Sequence, residues 1–423
     1  MSYLIIALLG ITVTQPNILD QTDEEWTALG YRVIEEVSIN PLDYGEPIGW
    51  GENCNGPTAS IGCQAFFVPT DNGEKWRIVM LLKDKLVILQ EDEELRDIPL
   101  ACSPTGIIYS RNGRFALVLG RFIDSRRGMY AREADVVNIE TGGVRTFEAL
   151  KNTHWPSMFF VNDDGSIYRW STTTENPLEY YDPDLNLAFS RETNVGWGSR
   201  FGHASGGSII VFLEAGNILT VYDRAGTLLW EKELDVTLQI SPFMVSADGS
   251  VLIMSARTGL KCFDGFTGDL LWEWTDCHTV APVPSVSGHA WAVSMTTKGL
   301  LFGADASSRE SLTDMHYPTE NWRRGAPTAV AINGACVLSS SSEPPKYQNN
   351  HLRKIIYTNT GGEILWISAP CSSASSPLTF SRNNNTEVGL RGGVNSIQSD
   401  GERFAYSDYN RVLIMRVEGG GEE

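Results

Sequence analysis

The sequence has few basic residues. Its 423 residues include 33 Lys and Arg against 52 Asp and Glu, which gives a formal net charge of −19. A surface of that sign repels phosphate backbones and anionic lipid, so we predict that nucleic acid is not a partner. Charged residues make up only 20% of the chain, while 42% are hydrophobic and 10% aromatic, a composition that excludes intrinsic disorder.

Long hydrophobic runs are also scarce. The only one covers residues 3–13, and these eleven residues are too few for a membrane-crossing helix, which takes about 20. We therefore predict no transmembrane span. The run matches the apolar region of a signal peptide over residues 1–15, although the first basic residue is Arg32 and the usual basic n-region is missing. A signal peptide predicts an extracellular or periplasmic protein; the alternative is a buried N-terminal strand.

Catalytic and metal-binding signatures are lacking. HExxH, P-loop, GxGxxG and GxSxG motifs do not occur, and the six histidines lie far apart in sequence. None of the seven cysteines forms a CxxC pair or a Cys/His cluster with zinc spacing. The residues thus predict no catalytic group, no metal ligand and no cofactor. Cys54 and Cys63 flank a loop with Gly and Pro and are candidates for a disulfide in an exported chain, with two unrelated free thiols as the alternative.

What the sequence does contain is a repeat of about forty residues. Turns with Asn, Asp, Ser or Gly recur before runs rich in β-formers, such as RFALVLG (114–120), SIIVFL (208–213) and SVLIMS (250–255). The last glycines of these turns are Gly73, Gly113, Gly165, Gly207, Gly249, Gly288, Gly334 and Gly401. Asn-Gly and Asp-Gly pairs are typical of tight hairpins, because both central residues can adopt positive φ.

A second hairpin in most units ends on a large aromatic residue. The clearest copies are VYDRAGTLLW (221–230), CFDGFTGDLLW (262–272) and YTNTGGEILW (357–366). The aromatic residues Phe147, Phe189, Trp230 and Trp272 are 42, 41 and 42 residues apart. Four strands in a unit of this length are typical of a β-propeller blade. We interpret Trp230, Trp272 and Trp366 as residues that pack between neighbouring blades, not as a ligand platform.

The repeat predicts an all-β protein with a single β-propeller of four-stranded antiparallel blades over residues 60–417. Eight blades are favoured, with seven as the alternative if residues 371–417 are read differently. The last unit supplies only three strands, so we expect the stretch YRVIEEVSI (31–39) to add the missing outer strand and close the ring. Residues 16–59 then contain the closure strand and a capping segment, and residues 418–423 form a tail.

The spacing of Asp264, Thr267, Gly268 and Trp272 follows an A-x-D-x-x-T-G-x-x-x-W pattern, with Cys262 in place of the alanine. The copies ending at Trp230 and Trp366 match it in part. This pattern resembles the repeats of pyrroloquinoline quinone (PQQ) enzymes and, more broadly, WD40-like propellers. The resemblance implies the fold. It carries no cofactor residue across, because the chain has neither the adjacent cysteines nor an Asp-rich calcium loop that quinoprotein dehydrogenases use.

Two segments are candidates for a binding surface. Trp322, Arg323 and Arg324 combine tryptophan with arginine, which is the composition of interface hot spots; the alternative is a connector packed under a loop. Trp50 lies in a glycine-rich segment, residues 43–55, that is long enough to cap one face of the ring.

The sequence favours a secreted or periplasmic, non-catalytic and monomeric propeller scaffold that binds a protein or glycan. The alternative is an enzyme, such as a quinoprotein-like oxidoreductase or a polysaccharide hydrolase or lyase, with its site in the central funnel. The fold is compatible with both. Two or more carboxylates or histidines within hydrogen-bonding reach at the axis would favour the enzyme, and a hydrophobic or Gly/Ser-lined channel would favour the scaffold.

Overall fold

The structure is a computed structural model that describes most of the repeat region and a part of the segment before it. The described residues are 32–40, 43–46, 62–66, 75–120, 133–147, 157–171, 177–192, 200–213, 218–234, 243–256, 259–275, 283–285, 291–295, 299–303, 305–309, 312–315, 322–330, 336–342, 352–358, 364–367, 371–372, 393–397, 403–407 and 412–418. The predicted signal peptide, Trp50 and Cys54 lie outside these residues.

The described residues form eight antiparallel sheets, which we call the first to eighth blades. Strand β1 (Arg32–Ile39) precedes the first blade in sequence. The first blade contains β2 (Gly62–Phe66), β3 (Arg77–Leu81), β4 (Lys85–Gln90) and β5 (Arg96–Pro99). The second contains β6 (Pro104–Tyr109), β7 (Phe115–Gly120), β8 (Ala134–Asn138) and β9 (Val144–Phe147). The third contains β10 (Ser157–Val161), β11 (Ile167–Ser171), β12 (Pro177–Tyr181) and β13 (Leu187–Glu192). The fourth contains β14 (Arg200–His203), β15 (Ile209–Leu213), β16 (Ile218–Asp223) and β17 (Leu228–Glu233).

The remaining blades follow the same order. The fifth contains β18 (Phe243–Val245), β19 (Val251–Ala256), β20 (Gly259–Asp264) and β21 (Leu270–Trp274). The sixth contains β22 (Val283–Pro284), β23 (Trp291–Met295), β24 (Gly299–Gly303) and β25 (Leu312–Met315). The seventh contains β26 (Trp322–Val330), β27 (Cys336–Ser342), β28 (Leu352–Thr358) and β29 (Ile364–Ile367), and the short β30 (Cys371–Ser372) also pairs with β28. The eighth contains β31 (Gly393–Ile397), β32 (Arg403–Ser407) and β33 (Val412–Glu418).

The blades are arranged as a ring around their first strands. The first strands of successive blades contact one another from β14 to β18, β22, β26 and β31, and β31 contacts β2 of the first blade. These strands therefore line the axis, and the fourth strand of each blade lies at the outer edge of its sheet. Both faces of a blade are covered by its neighbours. Accordingly β3 and β15 are buried along their whole length, whereas the outer strand β13 is mostly exposed.

The ring is closed by the two ends of the chain. In the eighth blade β1 forms the outer strand and pairs with β33, in antiparallel register from Arg32 opposite Glu418 to Ile39 opposite Val412. Ile39 is buried in one cluster with Met80 and Ile414, which joins the closure strand to the first and eighth blades.

The predicted all-β propeller of four-stranded antiparallel blades, closed by an N-terminal strand, is therefore confirmed. The described residues make eight such sheets. Glu418, placed in the predicted tail, is the last residue of β33. Within the described ranges, no helix has the length and hydropathy that a membrane crossing requires.

Candidate functional site

The PQQ-like motif of the fifth blade makes a turn and two blade contacts. The Asp264 carboxylate accepts hydrogen bonds from the backbone N–H groups of Phe266 and Thr267, at 2.9 and 2.8 Å, and so holds the turn between β20 and β21. Gly268 adopts φ +76° in this turn, a left-handed conformation that favours glycine. Trp272 follows the turn and faces the sixth blade.

Gly268 packs against an aromatic side chain from the preceding blade. The Trp230 ring lies against it so closely that a Cβ atom would stand 2.7 Å from the ring. The indole N–H of Trp230 donates to the carbonyl oxygen of Gly265 at 2.9 Å. Phe189 takes the same position one blade earlier, where a Cβ on Gly226 would lie 3.0 Å from its ring. The motif therefore encodes both halves of a contact between blades, the aromatic ring that packs on the following blade and the glycine that contacts the ring of the preceding blade.

Trp272 makes the corresponding contact with the sixth blade. Its indole N–H donates to the carbonyl oxygen of Ala306 at 2.9 Å, and its ring stacks on Trp291 with centroids 5.8 Å apart. Trp272 is buried, whereas Trp230 is half-buried. Both side chains thus lie between neighbouring blades.

Basic residues two positions after the aromatic residue reinforce these contacts. Lys232 donates to the carbonyl oxygen of Gly268 at 2.8 Å and lies over the Phe263 ring. Arg191 donates to the carbonyl oxygen of Gly226 and lies over the Tyr222 ring, 4.6 Å from its centroid. The positive charges of these outer strands are consequently held against the next blade.

For the other predicted site residues the structure describes the position in a strand. Trp322 and Arg323 lie in β26, the strand of the seventh blade nearest the axis, opposite Ser342 and Ser341, and Arg324 follows at a register shift. Trp366 lies in the outer strand β29 opposite Tyr357. An interaction surface at Trp322, Arg323 and Arg324 stays a prediction, and so does the packing of Trp366 between blades.

The predicted disulfide also stays a prediction. Cys63 lies in β2 opposite Met80, and Cys54 lies outside the described residues. Cys102 and Cys262 are buried free thiols, and burial is the main cause that raises the pKa of each, for Cys102 to about 12. Thiols with raised pKa values stay protonated and are poor nucleophiles.

A cross-ring hydrogen bond marks the axis. Arg111, in the turn after β6, donates to the carbonyl oxygen of Val245 at the end of β18, with an N–O distance of 2.7 Å. These residues belong to the second and fifth blades, so the Arg111 side chain extends across the central opening. His203, at the end of β14, is close enough for the charge of Arg111 to affect its pKa. Both side chains are half-buried.

The environment of these two axial residues fixes their charges. Burial lowers the pKa of Arg111 to about 10, which leaves it charged at neutral pH. Burial, followed by the Arg111 charge, lowers the pKa of His203 to about 3, so that His203 is neutral. Its ring lies 4.7 Å from that of Phe160, between centroids. A histidine with so low a pKa is a weak general base at neutral pH.

The Asp163 carboxylate, whose charge acts on Arg111, joins two blades. Asp163, in the turn after β10, accepts a hydrogen bond from the backbone N–H of Asn112 at 2.9 Å. The Asp163 backbone N–H donates in turn to the carbonyl oxygen of Ser205, at 2.7 Å. Within the part of the chain that the structure describes, no three His, Cys, Asp or Glu side chains are grouped so that they could hold a metal ion.

A set of exposed leucines lies on the outer strands of three consecutive blades. We call it the leucine rim, and its side chains are between 37% and 53% exposed. It consists of Leu187 in the third blade, Leu228 and Leu229 in the fourth, and Leu270 and Leu271 in the fifth. Sequence reasoning missed the rim, although the signal is visible as an apolar pair directly before Phe189, Trp230 and Trp272.

A β-bulge explains why both residues of each pair are exposed. In the fourth blade Tyr222 faces Leu228 and Val221 faces Trp230, so that Leu229 is an extra residue without a partner position. The same shift occurs in the third and fifth blades. Regular alternation would turn one residue of each pair inward, whereas the bulge leaves both accessible.

Comparison with solved structures shows the fold. The C-terminal WD40 domain of Sif2 matches with a TM-score of 0.51 at 12% identity and covers 85% of this chain and 97% of that domain. BamB from Moraxella catarrhalis matches with a TM-score of 0.48 at 11% identity, over 91% of this chain and 99% of that one. The β-propeller domain of Myceliophteria_thermophila Cps50 (Swd1) matches with a TM-score of 0.44 at 12% identity, over 75% and 98%.

The predicted propeller is thus confirmed at the level of the fold, which the WD40 domain of Sif2 shares. Sequence identities this low show a shared fold and not a shared function. A scan against protein-family models and a search of curated proteins gave no match.

Proposed function

Because the chain is a β-propeller with an exposed apolar rim, we propose that it is a non-catalytic scaffold that binds another protein. The leucine rim carries this proposal. Five exposed leucines lie on three consecutive outer strands, and exposed apolar patches on a protein surface mark interaction sites. A protein partner is favoured over a glycan, because aliphatic side chains recognise apolar side chains and offer no hydrogen bonds to sugar hydroxyls.

The polar groups at the axis support a structural role for the ring interior. Arg111 is bonded to a main-chain carbonyl of another blade, and the Asp163 carboxylate is bonded to a backbone N–H of its neighbour. These bonds fix blades relative to one another, which gives a surface on the rim the rigidity that preorganised binding needs.

A location outside the cytoplasm is the second part of the proposal. It rests on the apolar run of residues 3–13, which matches a signal peptide. The test is mass spectrometry of the native protein from cell fractions. A mature N-terminus near residue 15 in the envelope or medium supports export, and an intact Met1 in the cytosolic fraction contradicts it.

The binding role is tested by site-specific crosslinking in native cells. A photoreactive amino acid at position 229 should give one or a few defined protein adducts, and the same group at position 95 should not. Leu95 is the matched control, since it is 42% exposed but lies before β5 of the first blade, outside the rim. The purified chain is assayed in parallel on glycan and alcohol panels. No adduct at position 229 together with specific turnover would contradict the scaffold.

A further inference from the structure

The chemistry of the partner can be read from the residues around the leucine rim. On β17 Trp230 and Lys232 face the fifth blade, so that by alternation Glu231 and Glu233 share the opposite face; they follow the bulge that exposes Leu228 and Leu229. Glu231 and Glu233 are exposed. Two exposed leucines and two exposed carboxylates thus lie along this one outer strand.

The neighbouring outer strand repeats the arrangement. On β13 Phe189 and Arg191 face the fourth blade, and Glu192 is exposed. The basic residues of β13 and β17 are both held at carbonyl oxygens of the next blade, as described above for Arg191 and Lys232. Arg191 is still exposed, but the exposed carboxylates of Glu192, Glu231 and Glu233 outnumber it, so that the charge beside the leucines is negative on balance and agrees in sign with the net charge of the chain.

The rim has a boundary at the second blade. The two positions before Phe147, which correspond to Leu228 and Leu229, hold Arg145 and Thr146. No bulge interrupts the pairing of β8 with β9 at these positions. Among the side chains that the structure describes, the apolar surface thus begins where the bulged strands begin; the pairing of β28 with β29 in the seventh blade has the same register shift.

The bulges also restrict how a partner can bind. A bulge disrupts the hydrogen-bonding edge of a strand, and bulged edges resist the addition of another strand. Recognition at the rim therefore depends on side chains, apolar contacts with the leucines and ion pairs with the carboxylates.

We infer that the leucine rim binds a segment of a partner protein in which large apolar side chains are flanked by Lys or Arg. This inference rests on the proposed scaffold function and names its docking surface and partner chemistry. The apolar side chains would cover Leu228, Leu229, Leu270 and Leu271, and the basic ones would pair with Glu231 and Glu233.

The test is selection of peptides from a random linear library on the immobilised full chain. We expect enrichment of sequences that combine Leu, Ile or Phe with Lys or Arg. The affinity of a selected peptide is then measured by fluorescence anisotropy for three variants. The variant Leu228→Ser/Leu229→Ser/Leu270→Ser/Leu271→Ser should bind about tenfold or more weakly, and Leu95→Ser should bind as the native chain does. Glu231→Lys/Glu233→Lys should weaken binding about tenfold, with most of the loss in the association rate at low salt.

The outcomes distinguish a failure of the inferred docking surface from a failure of the proposed scaffold function. Thermal melts of the variants establish whether they are folded. We expect them to be folded, because the substituted side chains are exposed. Peptides that bind the serine variant as tightly as the native chain would show that the docking surface is elsewhere, with the scaffold proposal intact. Enrichment of acidic peptides, or of none, would overturn the inferred partner chemistry, while the crosslinking at position 229 still decides the scaffold.

Discussion

Arg111 and Val245 are joined across the centre of the ring, although 134 residues separate them in sequence and two blades lie between their own. The guanidinium group donates to a main-chain carbonyl and so links the turn of one blade to the inner strand of another.

Removing the guanidinium by Arg111→Met should lower the free energy of unfolding by about 1.5–3 kcal/mol, as for a hydrogen bond to a charged group. Urea unfolding measures this. Arg114→Met is the control, since Arg114 pairs with Glu140 at the surface and should change stability by less than about 1 kcal/mol. Equal effects would show that the cross-ring bond adds no stability.

Gly268 should not tolerate a side chain. In Gly268→Ala the new methyl group meets the Trp230 ring, and the left-handed φ of +76° adds backbone strain. We expect a loss of about 1–3 kcal/mol in the free energy of unfolding. Gly143→Ala provides a matched control in another turn, because its methyl group would meet nothing closer than the Thr141 hydroxyl at 3.4 Å. A stable Gly268→Ala with unchanged Trp fluorescence would mean that the contact between these blades adapts freely.

Trp272 and its neighbour Leu271 should differ sharply in their effect on stability. Trp272→Ala removes a buried ring, its stacking on Trp291 and its hydrogen bond to Ala306, and should lower the free energy of unfolding by about 3–5 kcal/mol. Leu271→Ala should change it by about 0.5 kcal/mol or less, because the Leu271 side chain is exposed. Differential scanning calorimetry of both variants checks this. Similar losses for both would contradict the assignment of Leu271 to an exposed rim.

His203 should make the protein sensitive to acid. Its pKa is lowered to about 3 in the folded state, against an ordinary value of about 6.5 in the unfolded chain. Between these values the unfolded state binds the proton and the folded state does not, so the free energy of unfolding falls as the pH drops from about 6.5 towards 3. In His203→Gln this contribution is absent, and the acid-unfolding midpoint should move to lower pH. An unchanged midpoint would mean that His203 takes up its proton in the folded ring.

The closure strand should stabilise the whole ring and not only the eighth blade. A chain lacking residues 16–45 loses β1, and with it the partner of β33 and the buried Ile39 side chain. We expect a lower midpoint of thermal unfolding and a broader transition, followed by circular dichroism. A milder variant, Ile39→Ala, should cost about 2–4 kcal/mol while leaving the strand in place. If the shortened chain melted at the native temperature in a single transition, β1 would be dispensable.

The sequence pattern predicted the blades well because their signals are local. The Asp-Gly turns depend on contacts within one hairpin, and the aromatic residues, Trp230 and Trp272 among them, recur once in each unit. The glycine that each aromatic ring packs against was harder to predict. Gly268 reads as a turn residue, and only the ring geometry shows that it also receives Trp230. The bond from Arg111 to Val245 has no sequence signal, since it joins distant blades.

The rim was missed for a different physical reason. A strand pattern places alternate residues on opposite faces, so that two adjacent leucines predict one buried and one exposed side chain. The bulge in β17 breaks this alternation and exposes both Leu228 and Leu229. The Trp322 segment shows the converse, because its composition is typical of an interface while its backbone belongs to the inner strand β26.

The pairing of β1 with β33 also determines the order in which the molecule can form. Arg32 leaves the ribosome early, yet its partner Glu418 is synthesised only after all the other strands of the ring. Contacts over such a separation form slowly, and until they form the outer edge of β33 is open to pairing with other chains. Between synthesis and closure, therefore, the unpaired edge of β33 exposes this protein to aggregation.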